Sequence, residues 1–91
     1  MKTKQLLVLA RRDHTEAMRL AAGLTIAGHG VRLIFMNTLV ADTAENAEQA
    51  ETLELCDIEP ETTVIEEEGL TYLNSEALCL AVLQADSVIS I

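Results

Sequence analysis

Two short apolar runs, QLLVLA at residues 5–10 and VRLIFM at residues 31–36, constrain the fold of this chain more than any other feature. Both are bounded by polar residues or glycine, which is typical of strands buried on both faces of a parallel sheet. The segment between them repeats apolar residues at the spacing of one helix face: Ala17, Leu20, Ala21, Leu24 and Ala27. A strand, a helix and a second strand in this order predict a βαβ unit with parallel strands and a right-handed crossover.

The ends of this first helix carry recognisable signals. Asp13 is a predicted N-cap, and Glu16, three residues later, would complete a capping box. Gly28 or Gly30 would end the helix, because glycine adopts the left-handed C-terminal conformation without strain.

The next segment, DTAENAEQAETLELC at residues 42–56, predicts a second helix with a capping box at Asp42 and Glu45. Its outer face would be strongly acidic, and its buried stripe would be narrow. The stripe would consist of Ala44, Ala47, Ala50 and Leu53, together with Leu55 and Cys56. Pro60 breaks any helix in residues 57–69, which leaves either a short strand at TTVIE or a single helical turn.

The last third alternates again between strand and helix patterns. LTYL at residues 70–73 and SVISI at residues 87–91 are predicted strands, and NSEALCLAVLQA at residues 74–85 is a predicted helix capped by Asn74 or Ser75. Residues 1–91 are therefore expected to form a single α/β domain, a sandwich around a mostly parallel sheet of four to five strands.

Charge and the N-terminal pattern limit the partners of the chain. Fifteen acidic residues against six basic ones give a net charge of −9, which disfavours nucleic acids and anionic membranes as partners. Lys2 and Lys4 precede an apolar run as in a signal peptide, but that run is short and Arg11 follows it at once. We therefore expect a cytoplasmic protein with Cys56 and Cys79 as reduced thiols.

Three motifs in order resemble the DsrE/DsrF-like proteins, flavodoxin-like domains associated with intracellular sulfur relay. They are the helix-to-strand segment EAMRLAAGLTIAGHGVRLIFM, the GLTYL strand and the terminal LQADSVISI. The resemblance implies a flavodoxin-like three-layer sandwich that assembles with its own copies or with related DsrE-like subunits. It also implies a sulfur-carrier protein as a partner. Our leading hypothesis is an accessory, non-catalytic subunit of such an oligomer.

The alternative hypothesis is a persulfide-carrying sulfurtransferase that uses Cys56. Relay members of the family carry a cysteine at the end of a central strand, and Cys56 is the candidate by order along the chain. A reactive thiolate needs a basic neighbour or a helix N-terminus. Cys56 instead has Glu54, Asp57 and Glu59 as neighbours and falls at a predicted helix C-terminus. Cys79 lies in an apolar helix and is expected to be a small buried hydrophobe.

A third hypothesis is a small anion- or nucleotide-binding module. Ligands of parallel α/β sheets bind beyond the carboxyl ends of the strands, and a helix N-terminus there attracts anions. The candidate residues are Arg11, Arg12, Asp13, His14 and Asn37. The competing interpretation is that Asp13 is only a cap and His14 is solvated. The two histidines fall at opposite ends of one helix and no cofactor motif is present, so neither a metal nor a cofactor is predicted.

The helix at residues 74–85 predicts self-association. Its apolar side chains point all around the helix, and a domain of this size has no further layer to cover the outer side. The predicted interface residues are Leu78, Leu80, Val82 and Leu83.

Overall fold

The computed structural model describes residues 4–91, so Lys2 of the signal-like opening lies outside the described residues. Strands and helices alternate along the chain. The elements are β1 (Gln5–Ala10), α1 (His14–Ile26), β2 (Gly30–Phe35), α2 (Ala44–Leu55), β3 (Glu61–Thr62), β4 (Thr71–Tyr72), α3 (Ser75–Gln84) and β5 (Ser87–Ser90). Within residues 4–91, no helix has both the length and the apolar character needed to cross a bilayer.

The five strands form one sheet in the order β4-β3-β2-β1-β5, and every neighbouring pair is parallel. The predicted α/β flavodoxin-like sandwich is thus confirmed, with a sheet that is entirely parallel. Strands β2, β3 and β4 follow one another on one side of β1, whereas β5 lies on the other side of β1. This order differs from the 2-1-3-4-5 order of flavodoxin itself, and it moves the switch point to the β1–β5 boundary.

Helices cover both faces of the sheet, which makes three layers. On one face, α1 and α2 pack over Val8, Leu33 and Phe35 with Met18 and Leu53. On the other face, α3 packs over alternate strand residues with a smaller core. That second core contains Leu7, Ile34, Leu73 and Ala81.

The predicted ends of α1 are largely confirmed. Asp13 accepts a hydrogen bond from the Glu16 amide at 3.0 Å. The Glu16 carboxylate accepts from the Arg19 guanidinium at 2.7 Å, and within residues 4–91 it does not accept from the Asp13 amide. Only half of the predicted capping box therefore forms. Gly28 has φ +97° just after the helix. The His29 amide donates to the Leu24 carbonyl and the Gly28 amide to the Thr25 carbonyl, as in a Schellman motif. The buried face differs from the predicted one: Ala27 is exposed, and the buried residues are His14, Ala17, Met18, Ala21 and Ala22.

Two predictions for α2 are wrong. The N-cap is Thr43, whose hydroxyl accepts from the Asn46 amide at 3.1 Å, and not Asp42. Of the predicted stripe the helix buries Leu53, together with the unpredicted Asn46, whereas the other helical members of the stripe are exposed: Ala44, Ala47, Ala50 and Leu55. The rotation of the helix is explained by hydrogen bonds, because Asn46 accepts from the Thr15 hydroxyl and donates to the Ala41 carbonyl and is therefore held facing inward.

The later elements agree with their predictions. Asn74 caps α3 by accepting from the Ala77 amide at 2.8 Å. In the ambiguous segment a strand does form, but β3 comprises only Glu61 and Thr62 and overlaps the predicted TTVIE strand at Thr62 alone. Turns follow it up to residue 70.

Candidate functional site

Three of the five predicted ligand residues, Arg12, Asp13 and His14, line one cleft at the carboxyl edge of the sheet, whereas Arg11 and Asn37 lie outside its lining. This cleft of about 400 Å³ separates the start of α1 from the segment that follows β2. It is lined by Arg12, Asp13, His14, Thr15, Thr38, Leu39, Ala41 and Asn46. Parallel strands end at one edge, and this common edge accounts for the juxtaposition of residues so distant in sequence.

His14 is buried, with 8% of its surface exposed, so the interpretation of a solvated histidine is wrong. Its ring lies edge-on to Phe35, with 5.1 Å between the ring centroids. Nε2 lies 3.2 Å from the carbonyl oxygen of Met36, and a nitrogen that contacts a carbonyl must donate. His14 therefore helps to tie α1 to the end of β2. Its helical spacing from Ala17 and Met18 was the signal for this inward position.

The backbone amides at the switch point are already occupied. The amides of Arg11 and Arg12 both donate to the carbonyl oxygen of Ile91, at 2.8 and 2.9 Å. The Asn37 side chain donates to the Arg11 carbonyl at 2.8 Å, and Asn37 itself has φ +74°, a conformation that asparagine tolerates well. Asn37 thus has a structural role, in joining the ends of β1 and β2.

The arginine side chains remain available for an anion. Arg11 and Arg12 are exposed, and neither forms an ion pair with any residue in the range 4–91. Two other polar side chains of the cleft bond to the chain itself, since Asp13 caps α1 and Thr15 donates to Asn46. The cleft therefore offers positive charge at its rim without a nucleophile paired to a base.

Cys56 occupies the C-cap of α2, where its amide donates to the Thr52 and Leu53 carbonyls at 3.1 Å. It is half-buried and packs against the core beneath α1 and α2. This position precedes β3, so it lies at the amino edge of the sheet, opposite the cleft. Beyond the carboxyl ends of the interior strands, the next residues are Arg11, Met36 and Thr63. Cys56 therefore does not lie at the carboxyl end of a strand, the position that the sequence resemblance implied for a relay cysteine.

Two predictions about α3 need correction. Cys79 is exposed in the single chain and is not a buried hydrophobe. Leu78 packs inward against the core beneath α3 and does not belong to the outward surface. The outward apolar surface, called here the α3 outer face, consists of Cys79, Leu80, Val82 and Leu83.

One interaction between β2 and β3 was not predicted. Arg32 of β2 donates two hydrogen bonds to the Glu61 carboxylate of β3, at 2.6 and 3.0 Å. The hydrogen bond to Glu61 raises the pKa of the Arg32 guanidinium above its ordinary value. A raised pKa means that the contribution of Arg32 to stability is complete at neutral pH and is lost only as the pH rises through that raised value. The pair holds the two-residue β3 against β2.

Comparison with known proteins returned no matching family model, no matching curated protein and no matching solved structure.

Proposed function

We propose that this chain is a non-catalytic, cytoplasmic subunit of the DsrE-like type that works as an oligomer. The observation that carries the proposal is the α3 outer face, on which Leu80 is 53% and Leu83 is 75% exposed. Exposed aliphatic residues on adjacent turns form a patch that monomeric proteins usually cover. The family resemblance of the sequence supports a sulfur-relay setting for the oligomer.

The occupant proposed for the α3 outer face is a second copy of the chain. The chain carries a net charge of −9, so most surfaces of two copies would repel each other. The α3 outer face has no charged member, and the nearest acid on the helix is Glu76 in its first turn. Two copies can therefore meet here and bury apolar surface with the Glu76 carboxylate, one turn before Leu80, left at the border of the contact.

The non-catalytic part of the proposal rests on the setting of Cys56. Glu54, Asp57 and Glu59 are its neighbours in sequence, and a helix C-terminus has negative electrostatic character. A persulfide carrier needs the opposite environment, with a basic group or a helix N-terminus to stabilise the thiolate.

Light scattering tests the oligomer directly. We expect the wild-type protein to show a mass of at least twice the 9.9 kDa of one chain at micromolar concentration. Leu83→Glu should reduce the mass to that of one chain, because it places a carboxylate within the buried apolar interface. Leu55→Glu is the matched control, because it adds the same charge on the other side of the sheet. Leu55 is 86% exposed at the end of α2. A monomeric wild-type protein, or equal dissociation by both variants, would contradict the proposal.

Thiol alkylation separates the accessory subunit from the persulfide carrier. In native wild-type protein at neutral pH, Cys56 should react no faster than free glutathione, because it is half-buried at the C-cap of α2 and has acidic neighbours in sequence. Cys79 should be protected in the oligomer and should react readily in Leu83→Glu, in which the α3 outer face is uncovered. The labelled cysteine is located by mass spectrometry of the digested protein. Alkylation of Cys56 faster than glutathione would favour the carrier instead.

A further inference from the structure

A groove runs between α2 and the segment of residues 57–70, on the sheet face opposite α3. It consists of two adjoining clefts of about 200 and 330 Å³, which share part of their lining. The shared residues are Ala50, Pro60, Gly69 and Leu70. We call the combined feature the α2 groove.

The floor of the α2 groove is apolar and well supported. Met18, Phe35 and Leu53 line it from below, and each is at most 3% exposed and belongs to the main core. Val40 and Leu70 are half-buried and line its sides. Core side chains keep their positions, so the groove is preformed and can accept apolar side chains without rearrangement.

The rim of the α2 groove is acidic. Glu54, Glu59, Glu67 and Glu68 line its two clefts. In the described part of the chain, none of these carboxylates forms an ion pair, although Glu67 accepts a hydrogen bond from the Val40 amide at 3.2 Å. The ion-paired arginines are committed elsewhere, Arg19 to Glu16 and Glu45, and Arg32 to Glu61. The rim therefore carries uncompensated negative charge around an apolar floor.

We propose that the α2 groove binds a partner protein through a segment of apolar residues flanked by lysine or arginine. The apolar side chains would fill the floor and lose their contact with water, and the basic side chains would approach the glutamates. Charge complementarity selects this chemistry, because an acidic segment would be repelled by the rim. The groove and the α3 outer face lie on opposite faces of the sheet, so this site does not depend on the oligomer proposed above.

Fluorescence anisotropy with a labelled synthetic peptide of alternating leucine and lysine tests the site. We expect micromolar binding that weakens as sodium chloride is added, because charges at the rim are screened. Ala50→Arg should weaken binding by at least about tenfold, since it places a long basic side chain within the groove. Ala47→Arg is the matched control: Ala47 is also exposed on α2 but lines neither cleft. Thermal melts of both variants verify that they remain folded.

A second set of variants separates the rim from the general acidity of the protein. Combined Glu54→Gln, Glu59→Gln and Glu68→Gln should weaken peptide binding, whereas combined Glu48→Gln, Glu51→Gln and Glu76→Gln should leave it nearly unchanged. Equal losses in the two triple variants would show attraction by net charge alone and would overturn the site. Equal binding of a peptide with serine in place of leucine would overturn it too.

Two further outcomes decide between occupants. Leu83→Glu should leave the affinity for the peptide unchanged, so a failure of the oligomer and a failure of the groove appear in different variants. If Ala50→Arg lowered the mass measured by light scattering, the α2 groove would be filled by a second copy of this chain, and the proposed partner segment would be wrong.

Discussion

Replacement of Leu53 with alanine should lower the free energy of unfolding by about 2–5 kcal/mol. Leu53 is 1% exposed and is the one apolar side chain that α2 buries completely. The substitution removes three methyl or methylene-sized groups and leaves a cavity between α2 and α1, because close-packed neighbours collapse into it only in part. Urea denaturation followed by circular dichroism measures the change.

The matched control lies two residues further along the same helix. Leu55 is 86% exposed, so Leu55→Ala should change the free energy of unfolding by no more than about 0.5 kcal/mol. Both measurements belong at one protein concentration, since association stabilises the folded state by mass action. Similar losses for the two variants would contradict the inward orientation of Leu53 and, with it, the observed rotation of α2.

Replacement of Asn46 with alanine should cost about 1–3 kcal/mol, although the side chain is polar. Asn46 is 7% exposed, donates to the Ala41 carbonyl at 2.9 Å and accepts a hydrogen bond from the Thr15 hydroxyl. Its loss leaves the partly buried Thr15 hydroxyl and the Ala41 carbonyl without their partners, and it also removes the hydrogen bond between α2 and α1. Thermal and urea denaturation report the loss.

A double-mutant cycle with Thr15→Val isolates this network. The two substitutions remove partners of a single hydrogen bond, so the double variant should cost less than the sum of the single variants. Additive costs would show that Thr15 and Asn46 do not interact, and would sink the explanation given above for the orientation of α2.

The elements that sequence reasoning located correctly are governed by local physics. Asp13 and Asn74 satisfy backbone amides a few residues away, and Gly28 adopts a conformation that most other residues resist. The strands at residues 5–10 and 31–36 are apolar on both faces and therefore require cover on both sides. Each of these features depends only on residues that are close together in sequence. The alternation of strands and helices follows from them, whereas the number of strands in the sheet does not.

The candidate site was predictable only in outline. Parallel topology brings the residues after β1 and β2 to one edge, so the grouping of Arg12, His14 and Asn37 followed from their order along the chain. The hydrogen-bond partners of these residues did not follow from chain order, because the Ile91 and Met36 carbonyls come to this edge of the sheet from other elements. The structure thus shows that the anticipated ligand site is a junction in which many polar groups bond to one another, with Arg12 exposed in the cleft and Arg11 exposed beside it.

The direction in which each helix faces was decided by tertiary contacts alone. Nearly every position of α3 is apolar, so periodicity could not separate Leu78, which packs on the sheet, from Leu83, which points outward. In α2 the alanines matched an amphipathic stripe, yet the hydrogen bonds of the buried Asn46 and the single large side chain of Leu53 set the rotation. Alanine buries too little surface to orient a helix by itself. Sequence patterns determine which segments become helices and strands, whereas the faces they bury depend on a free-energy balance among partners that are distant in sequence.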